Sequence, residues 1–313
     1  MSFCCRKYKY NNGFGKEKAK KNDKFCLKIV LLGIFGLKIA ENRDFFFTFV
    51  PLNDIVIMQD NNRSFLASIA PVTRHLLIIN VLVWLATIVF QRTGSIDLTQ
   101  WLGLHFWKGS QFRIWQPITH MFMHDTQSFL HIFFNMFMLW MFGSLLERVL
   151  GSKRFLFYYF ACGIGAALIQ ELVWQFTWQS ILMSHVTGPA GTTVTDIINA
   201  ANQGMTDFTM DDFFNGYLGG GLITVGASGA IFGILLAFGM IFPNMPMYLF
   251  FIPIPIKAKW VVIGNGLLEL YFGISGNQPG VAHFAHLGGM IAGIILILYW
   301  RHTGVLRRSH GFY

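Results

Sequence analysis

Long apolar runs separated by short polar stretches form the pattern of this chain from about residue 70 onward. A helix needs about 20 mostly apolar residues to cross a bilayer. The pattern predicts six transmembrane helices, at residues 75–91, 130–146, 155–176, 225–242, 260–274 and 281–300. The fifth is the weakest prediction, because it contains Asn265 and Glu269.

Basic residues are concentrated in alternate connections between these segments. Lys and Arg precede the first segment, lie between the second and third and between the fourth and fifth, and follow the sixth; residues 179–226 contain neither. Because Lys and Arg favour the cytoplasmic side of a membrane, the pattern predicts an all-α membrane protein, a six-transmembrane-helix bundle with N and C termini cytoplasmic.

Composition agrees with this class of protein. Of the 313 residues, 54% are hydrophobic and 12% are charged, whereas a soluble domain carries about 25% charged residues. Three parts are expected: a basic, poorly ordered cytoplasmic segment at 1–70, a membrane domain at 71–302 and a short cytoplasmic tail at 303–313. Alternatively, the natural start lies near Met58.

The net charge of +9 comes largely from the first 28 residues. Beside a membrane domain, such a segment favours contact with anionic lipid over nucleic acid, so the lipid bilayer is expected as a partner and nucleic acid is not. The four cysteines have no metal-ligand spacing, so neither a disulfide framework nor a zinc site is predicted, and no cofactor is expected.

Among the polar residues in the apolar segments, four stand out: His131, Asn135, Ser228 and His286. A polar group in hydrocarbon costs several kcal/mol unless it finds a partner, so such residues are functional candidates. With both termini inside, the second, fourth and sixth helices all begin at the outer face. The four candidates are therefore expected at one depth, one or two turns below that face.

Small residues accompany two of the candidates. Glycines beside Ser228 and His286 would let their helices approach closely, which would bring the serine Oγ near the imidazole; these are Gly226, Gly229, Gly289 and Gly293. Phe232, one turn after Ser228, would lie on the same face and pack against the imidazole. His283, one turn before His286, is a less favoured rival.

A serine and a histidine brought together in this way suggest nucleophilic catalysis. A neutral imidazole can remove the serine proton, and His131, the Asn135 amide and the Ser228 N–H could stabilise an oxyanion. No carboxylate is placed by the sequence to orient His286, so a Ser–His dyad is predicted. Glu171 is expected near the outer interface, and Glu269 is expected to be paired or to face a polar cavity.

At these residues the chain resembles a rhomboid protease. That family has G-x-S-G at its fourth transmembrane helix, H-x-x-x-N in its second and A-H-x-x-G-x-x-x-G in its sixth. The corresponding residues here are Gly226 to Gly229, His131 to Asn135 and Ala285 to Gly293, and the similarity covers about residues 70–300.

The resemblance implies an intramembrane serine endopeptidase that cuts transmembrane protein substrates without a metal or organic cofactor. Ser228 would be the nucleophile, His286 the base, and His131 and Asn135 the oxyanion hole. It also implies a first outer loop at the membrane interface, with suitable aromatic residues at Trp101, Phe106, Trp107, Phe112, Trp115 and Phe122. The expected location is a bacterial cytoplasmic membrane.

Two other functions stay open at this point. One is a non-catalytic relative that binds membrane-protein clients, which would be expected to lack the serine or the histidine. The other is a small transporter with a proton path through His131, His286, Glu171 and Glu269, which would need those groups to line one path across the bilayer.

Overall fold

The structure is a computed structural model, and it describes residues 68–94, 96–185, 199, 203–204, 222–249, 252–276 and 281–306. Nearly all of the basic segment predicted at 1–70, including Met58, lies outside these residues. So do most of the outer loop at 179–224 and the end of the tail predicted at 303–313.

Helices occupy each of the six predicted positions. The described helices are α1 (Pro71–Thr93), α2 (Leu98–Leu102), α3 (Gln116–Thr119), α4 (Phe129–Met138), α5 (Ser144–Leu150), α6 (Ser152–His185), α7 (Ser228–Ile241), α8 (Ala258–Ser275) and α9 (His283–His302). A 3-10 turn (His120–Phe122) follows α3, and a π-helical turn (Leu139–Gly143) joins α4 to α5. The second predicted helix is therefore one continuous rod with a local widening.

Four of these rods are long and apolar enough to cross a membrane: Pro71–Thr93, Phe129–Leu150, Ser152–Trp178 and His283–His302. They make the chain an integral membrane protein. The central helix α7 is apolar but has only 14 residues. At about 1.5 Å per residue it extends about 21 Å, less than the roughly 30 Å of a hydrocarbon core. By length alone α7 is therefore shorter than a full transmembrane span.

Two short antiparallel strand pairs correct the all-α prediction. Strand β1 (Leu104–His105) pairs with β2 (Ile223–Thr224), and β3 (Pro246–Leu249) pairs with β4 (Ile252–Lys257). Loop backbone groups need hydrogen-bond partners, and pairing supplies them. Prolines are tolerated in β4 because each strand of a two-stranded sheet is an edge strand.

The core is formed by α6, α7 and α9, which touch through small residues. A Cβ atom on Gly289 of α9 would overlap the backbone carbonyl of Gly229 in α7. One turn further along, Gly293 faces the Cα of Gly233, whose carbonyl accepts a 2.8 Å hydrogen bond from the Tyr158 hydroxyl of α6. The glycines thus allow backbone-to-backbone contact between the helices that carry Ser228 and His286.

A buried carboxylate connects three helices of the bundle. Glu147 of α5 is 2% exposed and accepts hydrogen bonds from the Val72 and Thr73 N–H groups at 2.9 and 2.8 Å. It also accepts from the hydroxyls of Thr73 and Ser152 at 2.8 and 2.7 Å. The first N–H groups of a helix have no intrahelical acceptor, so Glu147 caps α1 and ties it to α5 and α6.

Candidate active site

The side chains of Ser228 and His286 meet in the structure. Ser228 is the first residue of α7 and His286 is the fourth residue of α9. The Oγ of Ser228 lies 2.8 Å from the Nε2 of His286, which is ordinary hydrogen-bond length. Two residues 58 positions apart are thus close enough for direct proton transfer.

The His286 ring is held from one side by an aromatic ring. Phe232 lies one turn after Ser228 on α7, and its ring stacks on the imidazole with centroids 4.2 Å apart and planes 6° apart. The stack fixes the plane of the imidazole, so Nε2 stays directed toward the serine.

A carboxylate contacts the other nitrogen of the same ring, and this corrects the expectation that none would do so. Glu269 of α8 places Oε2 2.9 Å from Nδ1 of His286 and 2.7 Å from Nδ1 of His283. Glu269 was expected to be paired or to face a polar cavity, but its partner depends on how α8 is rotated, which the sequence does not fix. His283, the rival base, contacts the carboxylate instead of being the partner of Ser228.

Glu269, His283 and His286 could also offer three ligand atoms to a cation, since one such atom from each lies within 4.8 Å of the others. Two histidines and a carboxylate are a known ligand set for zinc. In the structure, however, direct hydrogen bonds to Oε2 already satisfy both Nδ1 atoms, so the three residues have an explanation without a metal.

The His131 ring lies near the serine, and its other ring nitrogen determines which tautomer it adopts. Its Nδ1 accepts a 3.2 Å hydrogen bond from the Asp125 N–H, so in the neutral ring the proton lies on Nε2. That Nε2 would lie 3.0 Å from a Cβ atom built on Gly226, and the Ser228 Oγ would lie 3.5 Å from the same point. A small space therefore separates an N–H donor from the serine oxygen.

Gly226 leaves that space empty. Its φ of 131° is rarely adopted by residues with a side chain, and any Cβ would project between His131 and Ser228. The Gly226 N–H donates to the His120 carbonyl at 3.0 Å, which attaches the start of α7 to the 3-10 turn. The missing side chain of Gly226 and the hydrogen bond of its N–H together keep space beside the serine.

Asn135 is buried but has a partner in its own helix. Its Nδ2 donates to the His131 carbonyl at 3.0 Å, which uses one of the two amide N–H groups. Among the supporting glycines, Gly229 lies against Ala166 and the Ala285 carbonyl. Gly229, Gly289 and Gly293 therefore lie in the contact between helices, whereas Gly226 lies at the site.

Two buried histidines lie behind the site. Burial lowers the pKa of His120 to about 4, and burial together with nearby His131 lowers the pKa of His124 to about 3. The His120 Nδ1 lies 3.0 Å from the Gln116 carbonyl. The His124 ring lies 5.3 Å from that of His131. Both rings are neutral at pH 7; the His120 ring is hydrogen-bonded, whereas the His124 ring packs beside that of His131.

The loop between α1 and α4, predicted to be the first outer loop, divides its aromatic residues between surface and interior. Trp101, Trp107 and Trp115 are exposed, as an interfacial loop would have them, whereas Phe106 is fully buried and packs edge-on against Trp174. The Trp107 N–H donates to Glu171 at 3.0 Å. Glu171 thus anchors the loop to α6, and Phe106 is a core residue that was wrongly expected at the interface.

The amino-acid sequence of this chain is also similar to those of known proteins. Residues 111–303 match the model of the Rhomboid domain family. The chain is 26% identical to the mitochondrial Rhomboid protein 1 of Saccharomyces cerevisiae over 169 residues, 54% of this chain and 37% of that protein. It is 27% identical to the Rhomboid protease GlpG of Yersinia pestis over 86 residues, 28% of this chain and 29% of that protein. The alignments span about a third of the length of these relatives.

Proposed function

The chain belongs to the rhomboid family, and we propose that it is an intramembrane serine endopeptidase. In this proposal Ser228 is the nucleophile, His286 is the general base, and the substrates are other membrane proteins, cut in or near a transmembrane segment. The observation that carries the proposal is the 2.8 Å contact between Ser228 Oγ and His286 Nε2, made between two helices that are otherwise mostly apolar.

Acyl transfer from a peptide bond would proceed in two stages. The Oγ of Ser228 attacks the carbonyl carbon while its proton passes to Nε2 of His286. The tetrahedral intermediate then collapses, the C–N bond breaks, and the departing amine takes the proton from Nε2. Water then attacks the acyl carbon and passes a proton to Nε2 of His286. The bond between the acyl carbon and Oγ breaks, and Oγ takes the proton back from Nε2, which restores the free serine.

The oxyanion of the tetrahedral intermediate would occupy the space beside Gly226. Three donors are assigned to it: the Nε2–H of His131, the second N–H of the Asn135 amide and the backbone N–H of Ser228. The first is supported by the tautomer that the Asp125 N–H selects. The last is supported by the position of Ser228 at the start of α7, where an N–H has no intrahelical acceptor.

The topology proposed for this enzyme has six spans with both termini in the cytoplasm, so α7 and α8 also cross. A short α7 suits the chemistry, because water must reach a serine that lies below the outer surface. The named relatives come from a mitochondrion and from a bacterium. For this chain we retain the bacterial cytoplasmic membrane as the proposed location, to be tested by fractionation of the native cells.

The test is cleavage of a panel of single-span membrane proteins by the purified protein in liposomes. Ser228→Ala and His286→Ala are each expected to abolish cleavage while leaving the melting temperature near that of the wild type. Fluorophosphonate probes should label the wild type and not Ser228→Ala. Continued cleavage by Ser228→Ala would contradict the proposal. Absence of both labelling and cleavage in the wild type would favour the non-catalytic, client-binding alternative.

A further inference from the structure

We propose that Glu269 is a positioning residue for His286, so that the site works as a serine, histidine and glutamate set in which His283 holds the carboxylate. This inference rests on the proposed protease activity and deepens it. It assigns a role to a charged side chain that α8 carries into a membrane domain, where an unpartnered carboxylate would be costly.

The first support is the geometry of one oxygen. Oε2 of Glu269 lies 2.9 Å from Nδ1 of His286 and 2.7 Å from Nδ1 of His283. The side chains are 12%, 10% and 6% exposed for Glu269, His286 and His283 respectively. Contacts this short between shielded groups are strong hydrogen bonds, so the carboxylate and both rings form one connected unit.

The second support is the position of the protons. An ionised carboxylate can only accept hydrogen bonds, so both Nδ1 atoms must carry their protons. A neutral His286 then has no proton on Nε2, and that nitrogen is free to accept the proton of Ser228 Oγ. Glu269 therefore selects the one neutral tautomer in which His286 can act as a base.

The third support comes from charge during the reaction. When Nε2 takes the serine proton, His286 becomes a cation in a site shielded by Phe232 and the surrounding helices. A carboxylate already hydrogen-bonded to the ring would stabilise that cation without moving, as the acidic member of a serine-protease triad does. His283 acts one step further away, because its bond to the same oxygen fixes the carboxylate toward His286.

The experiment measures kcat and KM on a transmembrane substrate, together with the rate of fluorophosphonate labelling, for the wild type, Glu269→Gln and Glu269→Asp. Loss of the equivalent carboxylate in a triad lowers kcat by about 10⁴ through the wrong tautomer, so Glu269→Gln should lower kcat by roughly 10²–10⁴ with KM little changed. Labelling should slow in parallel, because it needs the base but not substrate recognition. Glu269→Asp, which keeps the charge, should recover part of the rate.

Two controls separate this inference from others. Glu171→Gln makes the same change at another membrane carboxylate, one that bonds the Trp107 N–H, and it should leave the labelling rate near that of the wild type. Ser228→Ala tests the protease itself: if it still cleaves, the proposed function fails. If Ser228→Ala is inactive while Glu269→Gln keeps wild-type kcat, only the positioning role fails.

Three further outcomes would overturn the positioning role. The first is a fall in cleavage by Glu269→Gln with unchanged labelling, which would place Glu269 in substrate binding. The second is loss of wild-type activity on treatment with a zinc chelator and recovery with added zinc, which would make the carboxylate a metal ligand. If Glu269→Gln does not fold, Glu269→Ala, which removes the carboxylate altogether, carries the test, and wild-type kcat in that variant is the third.

Discussion

Replacing Gly226 by alanine tests the space beside the serine without replacing any proposed catalytic side chain. The new methyl would stand 3.0 Å from Nε2 of His131 and 3.5 Å from Oγ of Ser228, where the oxyanion is expected. Loss of a single oxyanion donor lowers kcat by about 10²–10³, and here the methyl separates the whole space from its donors. We therefore expect Gly226→Ala to lose at least about 10²-fold in kcat.

The same change carries a conformational cost that must be measured apart from the chemistry. A residue with a side chain held at an unfavourable φ costs about 1–3 kcal/mol, and Gly226 has a φ of 131°. Gly94→Ala is the matched control, since Gly94 also has a positive φ, of 66°, but a Cβ there meets nothing within 4 Å. It should lower the melting temperature modestly and leave kcat unchanged.

The assay for both variants is steady-state cleavage of a transmembrane substrate in detergent micelles, with thermal unfolding measured on the same samples. If folded Gly226→Ala cleaves within about threefold of the wild type, the assignment of this space to the oxyanion is wrong.

Two other predictions concern stability. Gly289→Ala would force a methyl into the Gly229 carbonyl, so the free energy of unfolding in micelles should fall by about 1–3 kcal/mol or more. In the control Gly264→Ala, on α8, the new Cβ meets nothing within 4 Å, so the change should be neutral or stabilising by up to about 1 kcal/mol. Equal effects of the two variants would contradict the close contact of α7 and α9. Lowering the pH from 7 toward 4 should destabilise the protein, because unfolded histidines titrate near 6.5 whereas the pKa of buried His120 is about 4 and that of His124 about 3. At these two histidines the unfolded state takes up protons before the folded state does, so each contributes a loss of up to about 1.4 kcal/mol per pH unit below 6.5. Thermal unfolding of His124→Gln should therefore depend less steeply on pH, and an equal slope would contradict the assignment.

Most of the helices could be predicted from the long apolar runs in the sequence. The contact between serine and histidine could be predicted for a different reason. Polar residues are rare in lipid-exposed helices, so Ser228 and His286 stood out, and the glycines beside them indicated which faces would touch. The position of Phe232 on the imidazole also follows from helical spacing, since it lies one turn after Ser228.

Glu269 was expected to be paired or to face a polar cavity, and it is paired, but its contact with His286 was not predicted. Glu269 made the fifth segment the weakest transmembrane prediction, and no motif connected it with a partner. Its contact with His286 depends on the rotation of α8 about its own axis, which a single carboxylate in an apolar run cannot reveal. The pair β1 and β2 was missed because each strand has two residues, too few to give an alternating pattern. The pair β3 and β4 was missed because β4 contains two prolines, which argue against a strand.

Glu147 decides where an independently folding unit of this protein can begin. The family match starts at residue 111, yet the donors that satisfy this carboxylate include the start of α1, some 75 positions earlier in the chain. A shortened version starting at residue 111 would leave the buried Glu147 carboxylate, at the junction of α5 and α6, with one of its four hydrogen bonds, the one from the Ser152 hydroxyl. Truncation for crystallisation or expression should therefore keep everything from residue 68 onward.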